Sequence, residues 1–315
     1  MNSFKSVFKN ELINFIEFKR SLGFKYNGSI QYCRNIDRFW FNKNISCIEL
    51  KEEDVKEFAK RKDSESISNQ RNRLYTLKHF SIFLVKQGYK NIYIYDEKIK
   101  QDKYNFIPHI YSDDEIISIF DYIKNDEKKN SEKYLLLFKL LYSTGLRLSE
   151  ATHIKYKDIR LHDKAIIITK SKNYNTRFIY LSNSMLKELT DYLNSNFKTD
   201  EDYIFENKNN NFFANSQIES YFRNLISKIG LKSNGSKNIR IHDLRHSFAV
   251  KTLDLMYEKG YDYYHTLPLL SKYMGHKDIT HTEYYLRLTK MNHYKVVKKQ
   301  DTYKPNIIPE VSYDK

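Results

Sequence analysis

Two adjacent tyrosines, Tyr284 and Tyr285 in the stretch HTEYYLRL, are the candidate nucleophiles of this sequence. The chain contains 27 tyrosines, so a tyrosine chosen at random is a structural residue. A phenol has a reference pKa of about 10 and attacks a substrate only when another group takes its proton or stabilises its charge. The residues around the pair therefore decide whether either tyrosine does chemistry.

Two arginines supply the charge that such a nucleophile needs. Arg147 follows a turn at Gly145 in STGLRLSE, and Arg245 lies in HDLRH. Glu150 comes three residues after Arg147, which in isolation indicates an ordinary ion pair on a helix surface. Taken together, the two planar guanidinium groups match the equatorial oxygens of a phosphoryl group in its transition state. This pair favours phosphoryl transfer.

Histidines and a lysine complete the set. His242 precedes Arg245 by one helical turn, and His276 follows Gly275 in MGHKD. Histidines can hydrogen-bond phosphate oxygens or move protons near neutral pH. Lys172 lies in the turn SKNYNTR, where an ammonium group can protonate a leaving oxygen. Because fixed cations can do the electrostatic work, the predicted chemistry needs no metal and no other cofactor.

The order of these motifs resembles the tyrosine recombinase, or phage integrase, family. The chain carries TGLRLSE, a lysine in a β-hairpin turn, HDLRHSFA, GH, and a tyrosine nine positions after that histidine. The resemblance covers residues 112–290. Counting nine from His276 gives Tyr285, so Tyr285 matches the family nucleophile. Neighbouring helical side chains point about 100° apart, so only one of the two tyrosines can face a phosphate. Tyr284 is therefore expected to be a packing residue.

The resemblance implies a role for each matching residue. It makes Tyr285 the nucleophile, Arg147 and Arg245 the groups that hold the scissile phosphate, His276 a third phosphate donor, His242 an aid to proton transfer, Glu150 the acid that braces Arg147, and Lys172 the general acid. The hairpin departs from the family pattern, because Ser171 and Asn173 replace the usual glycines beside Lys172. A shift of register would pass the role to Lys170, and this alternative stays open. The candidate contacts to DNA are Arg71, Lys78, Lys170 and Arg177.

The hydrophobic pattern predicts a mainly α protein with a small β-sheet. Residues 1–92 form an all-helical domain, with helices around 8–23, 29–41, 50–61 and 68–88. The resemblance identifies this part as a core-binding, SAM-like domain that binds DNA. Residues 93–111 lose the helical period and read as a linker.

Residues 112–290 are predicted to form a mixed α/β catalytic domain of the integrase type. Ser112 and Glu115 form a capping box that opens its first helix, and Ser216 with Glu219 repeats the pattern. Residues 166–168 and 178–181 form two strands on either side of the polar turn. The remaining residues, 291–315, are predicted to be a tail that docks on a neighbouring subunit.

Charge and composition indicate which binding partners and which cellular compartment to expect for this protein. The formal net charge is +15; residues 1–110 carry 21 Lys and Arg against 13 Asp and Glu, and the rest 33 against 26. Both parts are therefore basic, which suits a polyanion held by the whole protein. The chain has 2 cysteines, no CxxC pair and no apolar run long enough to span a membrane. A cytoplasmic protein without a secretory signal is expected.

These observations predict a site-specific DNA recombinase that cleaves and rejoins strands through a 3′-phosphotyrosyl intermediate. The resemblance implies double-stranded DNA as substrate and a tetramer on DNA. Accessory DNA-bending proteins are candidate further partners, and whether the reaction needs them stays open. A type IB topoisomerase-like enzyme shares the nucleophile and the cations, but relaxes DNA as a monomer. A non-catalytic DNA-binding protein on an integrase scaffold is the other alternative. An RNA-binding module has only the charge in its favour, because the sequence has no RNP-like strand or GXXG loop.

Overall fold

A computed structural model of the chain describes residues 4–97, 107–126, 130–169, 176–233, 238–276, 278–286 and 288–289. The chain divides into two compact units, Met1–Asn105 and Phe106–Lys315. The predicted fold class is confirmed, since both units are mainly helical and the described residues hold one three-stranded sheet. Within the described residues, the helices are all too short or too polar to cross a membrane.

In its described residues, the first unit has four helices around an aromatic core. These are α1 (Lys9–Ser21), α2 (Ile30–Asn42), α3 (Glu52–Ala59) and α4 (Ile67–Lys86). Phe8 meets Trp40 and Phe80 in T-shaped contacts, with ring centroids 6.0 and 5.7 Å apart. The four predicted helices are confirmed, because apolar side chains one helical turn apart all point into this core.

Helix α4 shows the two kinds of arginine that this unit contains. Arg73 is fully buried, and its guanidinium donates to Glu65 and to the main-chain carbonyls of Phe58 and Lys60. Arg71 is partly exposed on the same helix. Lys78, also partly exposed, forms an ion pair with Asp96.

The second unit wraps further helices around a central apolar helix, α6. Its helices are α5 (Asp113–Lys124), α6 (Ser131–Thr144), α7 (Leu148–Ala151), α8 (Asn183–Asn196), α9 (Asn215–Lys228), α10 (Asp243–Glu258) and α11 (Tyr263–Met274). Residues 280–286 are helical as well. Leu137, Phe138 and Leu140 of α6 are buried completely, which explains why this segment is apolar on nearly every side.

The sheet is antiparallel with the order β1–β2–β3, formed by Ile159–Arg160, Ala165–Ile168 and Arg177–Tyr180. Ile168 pairs with Arg177, so the two strands predicted around the polar turn are confirmed. Lys170 and Lys172 belong to that turn and lie outside the described residues, as does the tail predicted for residues 291–315. Strand β1 was not predicted, because two residues are too few to show an alternating pattern.

One capping box is confirmed and the other is wrong. The Ser112 hydroxyl accepts from the Glu115 amide at 3.2 Å, and the Glu115 carboxylate accepts from the Ser112 amide at 2.9 Å. At α9 the cap is Ala214, one residue before the helix, and no side chain caps it. The helix therefore begins too early for Ser216 to act as its cap. Helix α11 was not predicted; it contains Pro268, which disfavours a helix interior.

Candidate active site

Arg147 stands at the start of α7, where it is joined to Glu150 twice. Its main-chain amide donates to Glu150 Oε2 at 3.0 Å, and its Nη1 donates to Oε1 at 2.8 Å. Its Nη2 donates to the carbonyl of Gly275 at 2.8 Å. The turn before Arg147 depends on Gly145, which ends α6 with a φ of 63°. A Cβ at this position would lie only 2.3 Å from the Phe248 ring. The predicted brace between Glu150 and Arg147 is therefore present in the fold.

Arg245 lies in the first turn of α10 and is 2% exposed. Its Nη1 donates to the carbonyl of Gly145 at 2.5 Å, and its Nη2 donates to that of Met274 at 2.8 Å. The same Nη2 lies 2.9 Å from Nε2 of His276. Arg245 thus brings together the turn before Arg147 and the end of α11. Burial lowers its pKa to about 10, with the charge of Arg147 acting in the same direction.

His242 and His246 lie on the same side of α10, with ring centroids 4.9 Å apart. Burial lowers the pKa of His242 to about 4, and the nearby charges of Arg245, Arg240 and Arg147 lower it further. The imidazole is therefore neutral at pH 7 and can accept a proton.

His276 follows Gly275, which ends α11 with φ 65°. Its Nδ1 lies 2.8 Å from the hydroxyl of Thr282. Burial, followed by the charges of Arg245 and Arg147, lowers the pKa of His276 to about 3. Thr282 is fully buried and was not among the residues that the sequence singled out.

Tyr285 lies at the centre of this group and is 2% exposed. Its ring centroid is 6.2 Å from that of His276 and 5.6 Å from that of His246. Burial raises the pKa of Tyr285, while Arg245, through its charge and a hydrogen bond, opposes the rise. Tyr284 is partly buried and packs against an apolar cluster, with its ring 6.1 Å from that of Tyr285.

Arg177 has a different environment from the one that the sequence suggested. Its Nη1 and Nη2 donate to the two carboxylate oxygens of Glu150 at 3.1 and 2.7 Å, and its Nε donates to the carbonyl of Tyr273 at 3.0 Å. Burial raises the pKa of Glu150, but Arg177 and then Arg147 outweigh it and hold the pKa below its usual range. All three guanidinium nitrogens face the protein. We therefore interpret Arg177 as a brace for Glu150; a contact of Arg177 with DNA remains a prediction.

The fold thus brings together five of the six predicted catalytic residues, along with Glu150: Arg147, His242, Arg245, His276 and Tyr285. The sixth, Lys172, lies outside the described residues, as does its alternative Lys170. Arg71 and Lys78 belong to the first unit. Sequence reasoning missed Thr282 and the inward role of Arg177. The spacing of three residues between Thr282 and Tyr285 could have pointed to a shared helix face.

Residues 110–292 match the sequence profile of the phage integrase family, which is more than half of the chain. The chain belongs to the phage integrase family. The integrase-type recombinases most similar in sequence include a putative integrase/recombinase, y4rB, of Sinorhizobium fredii, 33% identical over 159 residues. That match covers 49% of this chain and only 51% of y4rB, so the chain spans about half the length of that relative. Tyrosine recombinase XerC of Staphylococcus saprophyticus is 26% identical over 220 residues, which cover 69% of this chain and 70% of XerC.

Solved structures show the same fold for this integrase-family protein. The XerH site-specific recombinase bound to difH substrate, in a pre-cleavage complex, superposes with a TM-score of 0.63 at 23% identity, covering 83% of this chain and 77% of XerH. The Tn1549 transposon integrase in complex with a circular intermediate DNA superposes with a TM-score of 0.64 at 20% identity, covering 87% and 94%.

Proposed function

We propose that this integrase-family protein is a site-specific DNA recombinase and that Tyr285 is its nucleophile. The observation that carries the proposal is the burial of the Tyr285 phenol against Arg245. His276 contacts the same arginine, and Arg147 donates to the carbonyl of Gly275, directly before His276. The charges of Arg245 and Arg147 offset part of the cost that burial adds to deprotonation of Tyr285, because they compensate the phenolate charge.

The reaction is a transfer of one phosphodiester linkage. The oxygen of Tyr285 attacks the scissile phosphorus, the bond from phosphorus to the 5′-oxygen breaks, and a 3′-phosphotyrosyl ester forms. The 5′-oxygen leaves as a hydroxyl after it receives a proton. A 5′-hydroxyl of a partner strand then attacks the ester and releases Tyr285. Each step exchanges one ester for another, so strand exchange needs no ATP.

Proton transfer falls to His242 and Lys172. A neutral His242 has a free lone pair and can take the proton of Tyr285, which is the role that the family resemblance implies. Lys172 is the proposed acid for the 5′-oxygen, with Lys170 as its alternative. The strands β2 and β3, which flank their turn, are anchored at the site because Arg177 of β3 holds Glu150.

The arginines are prepared to receive a phosphate. Arg147 and Arg245 donate to the carbonyls of Gly275, Gly145 and Met274. A charged phosphate oxygen is a stronger acceptor than a neutral carbonyl, so both guanidiniums gain by turning to DNA. The charge that builds up on the phosphoryl oxygens in the transition state would be balanced by groups that are already in position.

The first unit is proposed to be the core-binding domain, with Arg71 and Lys78 of α4 as contacts to DNA phosphates. Structures of relatives were solved with DNA, among them a lambda integrase dimer bound to a core site. Joining two duplexes requires two protein copies on each, so we propose a tetramer on DNA, with accessory DNA-bending proteins and a docking role for residues 291–315 as further features.

The decisive experiment is covalent trapping on a nicked suicide duplex made from the genomic DNA that flanks the gene. Wild type, Tyr284→Phe and Tyr285→Phe are incubated with it in the presence of EDTA and without ATP, and a denaturing gel reveals the protein–DNA adduct. We expect the adduct with wild type and Tyr284→Phe, and its loss in Tyr285→Phe.

The other outcomes each reject a specific part of the proposal. Loss of the adduct in Tyr284→Phe alone would place the nucleophile one residue earlier. Absence of an adduct from wild type, on DNA that it binds in a gel shift, would favour a non-catalytic DNA-binding protein. Relaxation of supercoiled DNA by a monomer, without recombinant product, would favour the topoisomerase-like alternative.

A further inference from the structure

The hydroxyl of Thr282 joins the helix of the proposed nucleophile to His276. Thr282 is fully buried, and its Oγ1 lies 2.8 Å from His276 Nδ1. It precedes Tyr285 by three residues within the helical segment 280–286, so the two side chains share one face of that helix. A single side chain therefore connects the two groups that must meet the same phosphate.

The hydrogen bonds of His276 define its tautomer in this structure. A guanidinium group has only donors, so His276 Nε2 must accept the hydrogen bond from Arg245 Nη2 at 2.9 Å. A neutral imidazole that accepts at Nε2 carries its proton on Nδ1. That Nδ1–H donates to Thr282 Oγ1. The lowered pKa of His276 agrees with a neutral ring.

This tautomer is the wrong one for binding a phosphate through Nε2. An ionised phosphate oxygen only accepts hydrogen bonds, so an Nε2 that binds it must carry a proton. A neutral ring with Nε2–H has a bare Nδ1, which then needs a donor. A threonine hydroxyl has one O–H and two lone pairs, so it can serve either tautomer by rotating about its C–O bond.

We propose that Thr282 is a positioning residue that exchanges hydrogen-bond roles with His276 when DNA binds. In the free protein the hydroxyl accepts from Nδ1–H; in the complex it donates to Nδ1, and Nε2–H donates to the scissile phosphate. The ring gives one proton to solvent from Nδ1 and takes one from solvent at Nε2, so it is neutral before and after the exchange. The inference rests on the proposed function, because it takes His276 as a group that binds the phosphate.

The first test measures the rate of adduct formation with Thr282→Val, Thr282→Ser and a control, Thr266→Val. Valine keeps the shape of threonine but can neither donate nor accept, and serine keeps the hydroxyl. Thr266 is a matched control, because it is 3% exposed on α11 and its hydroxyl donates to the carbonyl of Asp262, at 2.8 Å, rather than to a site residue.

We expect Thr282→Val to form the adduct about tenfold more slowly than wild type or worse. Thr282→Ser should restore most of the rate, and Thr266→Val should match wild type. A wild-type rate in Thr282→Val overturns the inference. So does a Thr282→Ser variant as slow as Thr282→Val, because the hydroxyl would then not be the group that matters.

The second test reads the tautomer directly and does not depend on cleavage or on a variant of Thr282. The ¹⁵N shifts of His276 are recorded in histidine-labelled protein and assigned by their loss in His276→Gln. We expect the Nδ1–H form in free protein and the Nε2–H form when Tyr285→Phe binds the uncleaved duplex. An Nε2–H ring in free protein, an unchanged ring on DNA, or a doubly protonated ring on DNA each overturns the proposal.

The two tests also separate this inference from the proposed function. If wild type forms no adduct on DNA that it binds, the proposed function fails, and the tautomer measurement still decides the role of Thr282. If wild type forms the adduct but the ring does not change, only the inference fails. Thermal unfolding monitored by circular dichroism shows whether Thr282→Val is folded; if it is not, the tautomer measurement alone decides.

Discussion

Arg177 holds Glu150 with both of its terminal nitrogens, at 3.1 and 2.7 Å from the two carboxylate oxygens. Arg147 donates to the same carboxylate at 2.8 Å, so one buried anion lies between two guanidiniums. Arg177 also donates to the carbonyl of Tyr273, three residues before His276. Glu150 and Arg177 thus fix the relative positions of β3, α7 and the end of α11.

Replacing Glu150 by glutamine should damage both stability and catalysis. The substitution keeps the shape of the side chain but leaves two arginines facing each other without an anion. We expect the free energy of unfolding of the second unit, measured in urea, to fall by about 3–5 kcal/mol, as when one partner of a buried ion pair is removed. Adduct formation should fall by at least about tenfold, because Arg147 is no longer held.

Glu201 provides the matched control for this substitution. It also accepts from two cations, Lys155 at 2.8 Å and Lys157 at 2.5 Å, but its side chain is 65% exposed. Solvent screens exposed ion pairs and makes their contribution to stability small, so Glu201→Gln should change stability and adduct formation little. Equal effects of the two substitutions would contradict the special role of Glu150.

Substitution of Arg177 distinguishes a brace from a contact to DNA. If Arg177 only braces Glu150, Arg177→Gln should slow adduct formation without changing how DNA affinity depends on salt. A lost phosphate contact would instead reduce the slope of log K against log salt by about 1. Fluorescence anisotropy at several salt concentrations measures this slope. A reduced slope would support the contact between Arg177 and DNA that the sequence suggested.

Gly275→Ala should displace Arg177 in addition to straining the backbone at a positive φ. A Cβ at Gly275 would lie 2.9 Å from Nη1 and 3.0 Å from Cζ of Arg177. Gly260 also has a positive φ, 87°, but has open space around its Cβ position. Both variants should lose about 1–2 kcal/mol to backbone strain. Only Gly275→Ala should also slow adduct formation, and equal rates in both would argue against the contact with Arg177.

Acid should destabilise the DNA-free protein through its buried histidines. Burial is the largest cause that lowers the pKa of His242 to about 4, and of His246 and His276 to about 3. Above pH 6.5 these rings are neutral in both the folded and the unfolded chain. Below it, the unfolded chain takes up protons that the folded chain refuses, so stability falls as pH falls from 6.5 toward the folded pKa values.

The effect of the histidines on stability can be measured from urea unfolding of the second unit at pH 7.5 and pH 5.0. We expect the two more deeply buried rings, His242 and His246, each to remove roughly 2 kcal/mol at pH 5.0, and the more exposed His276 to remove less. His246→Gln should reduce the difference between the two pH values by about that amount, since glutamine does not titrate. Because the variant and wild type share all other groups, an identical pH dependence in both would show that His246 does not contribute.

The two arginines of α4 should respond in opposite ways to removal. Arg71 is partly exposed, so Arg71→Ala should weaken DNA binding with stability almost unchanged. Arg73 is fully buried among carbonyls and Glu65, so Arg73→Ala should destabilise the first unit by about 3–5 kcal/mol. Gel shifts and thermal unfolding measure the two effects. Unchanged DNA affinity in Arg71→Ala would remove Arg71 from the proposed interface.

The sequence by itself determined the candidate site residues and the fold class of this protein. Helical periodicity located the four helices of the first unit, because each buries one apolar stripe. The resemblance to the integrase family, counted nine positions from His276, selected Tyr285, and the spacing of Arg147 to Glu150 predicted their pairing. Helix periodicity and the ion pair are local signals, so residue types and separations suffice to find them, whereas the nucleophile also required the family pattern.

Tertiary structure alone decided which distant groups touch. Arg177 pairs with a carboxylate 27 residues earlier, and nothing near it in the sequence distinguishes this from a solvent-exposed cation. The neutral tautomer of His276 depends on Arg245, 31 residues away, together with the nearby Thr282. The lowered pKa values of the histidines come chiefly from burial, which depends on the packing of α10 and α11. Tertiary packing fixes the distances between these side chains and excludes water from them. Those two factors determine their hydrogen bonds and pKa values, which the sequence alone does not reveal.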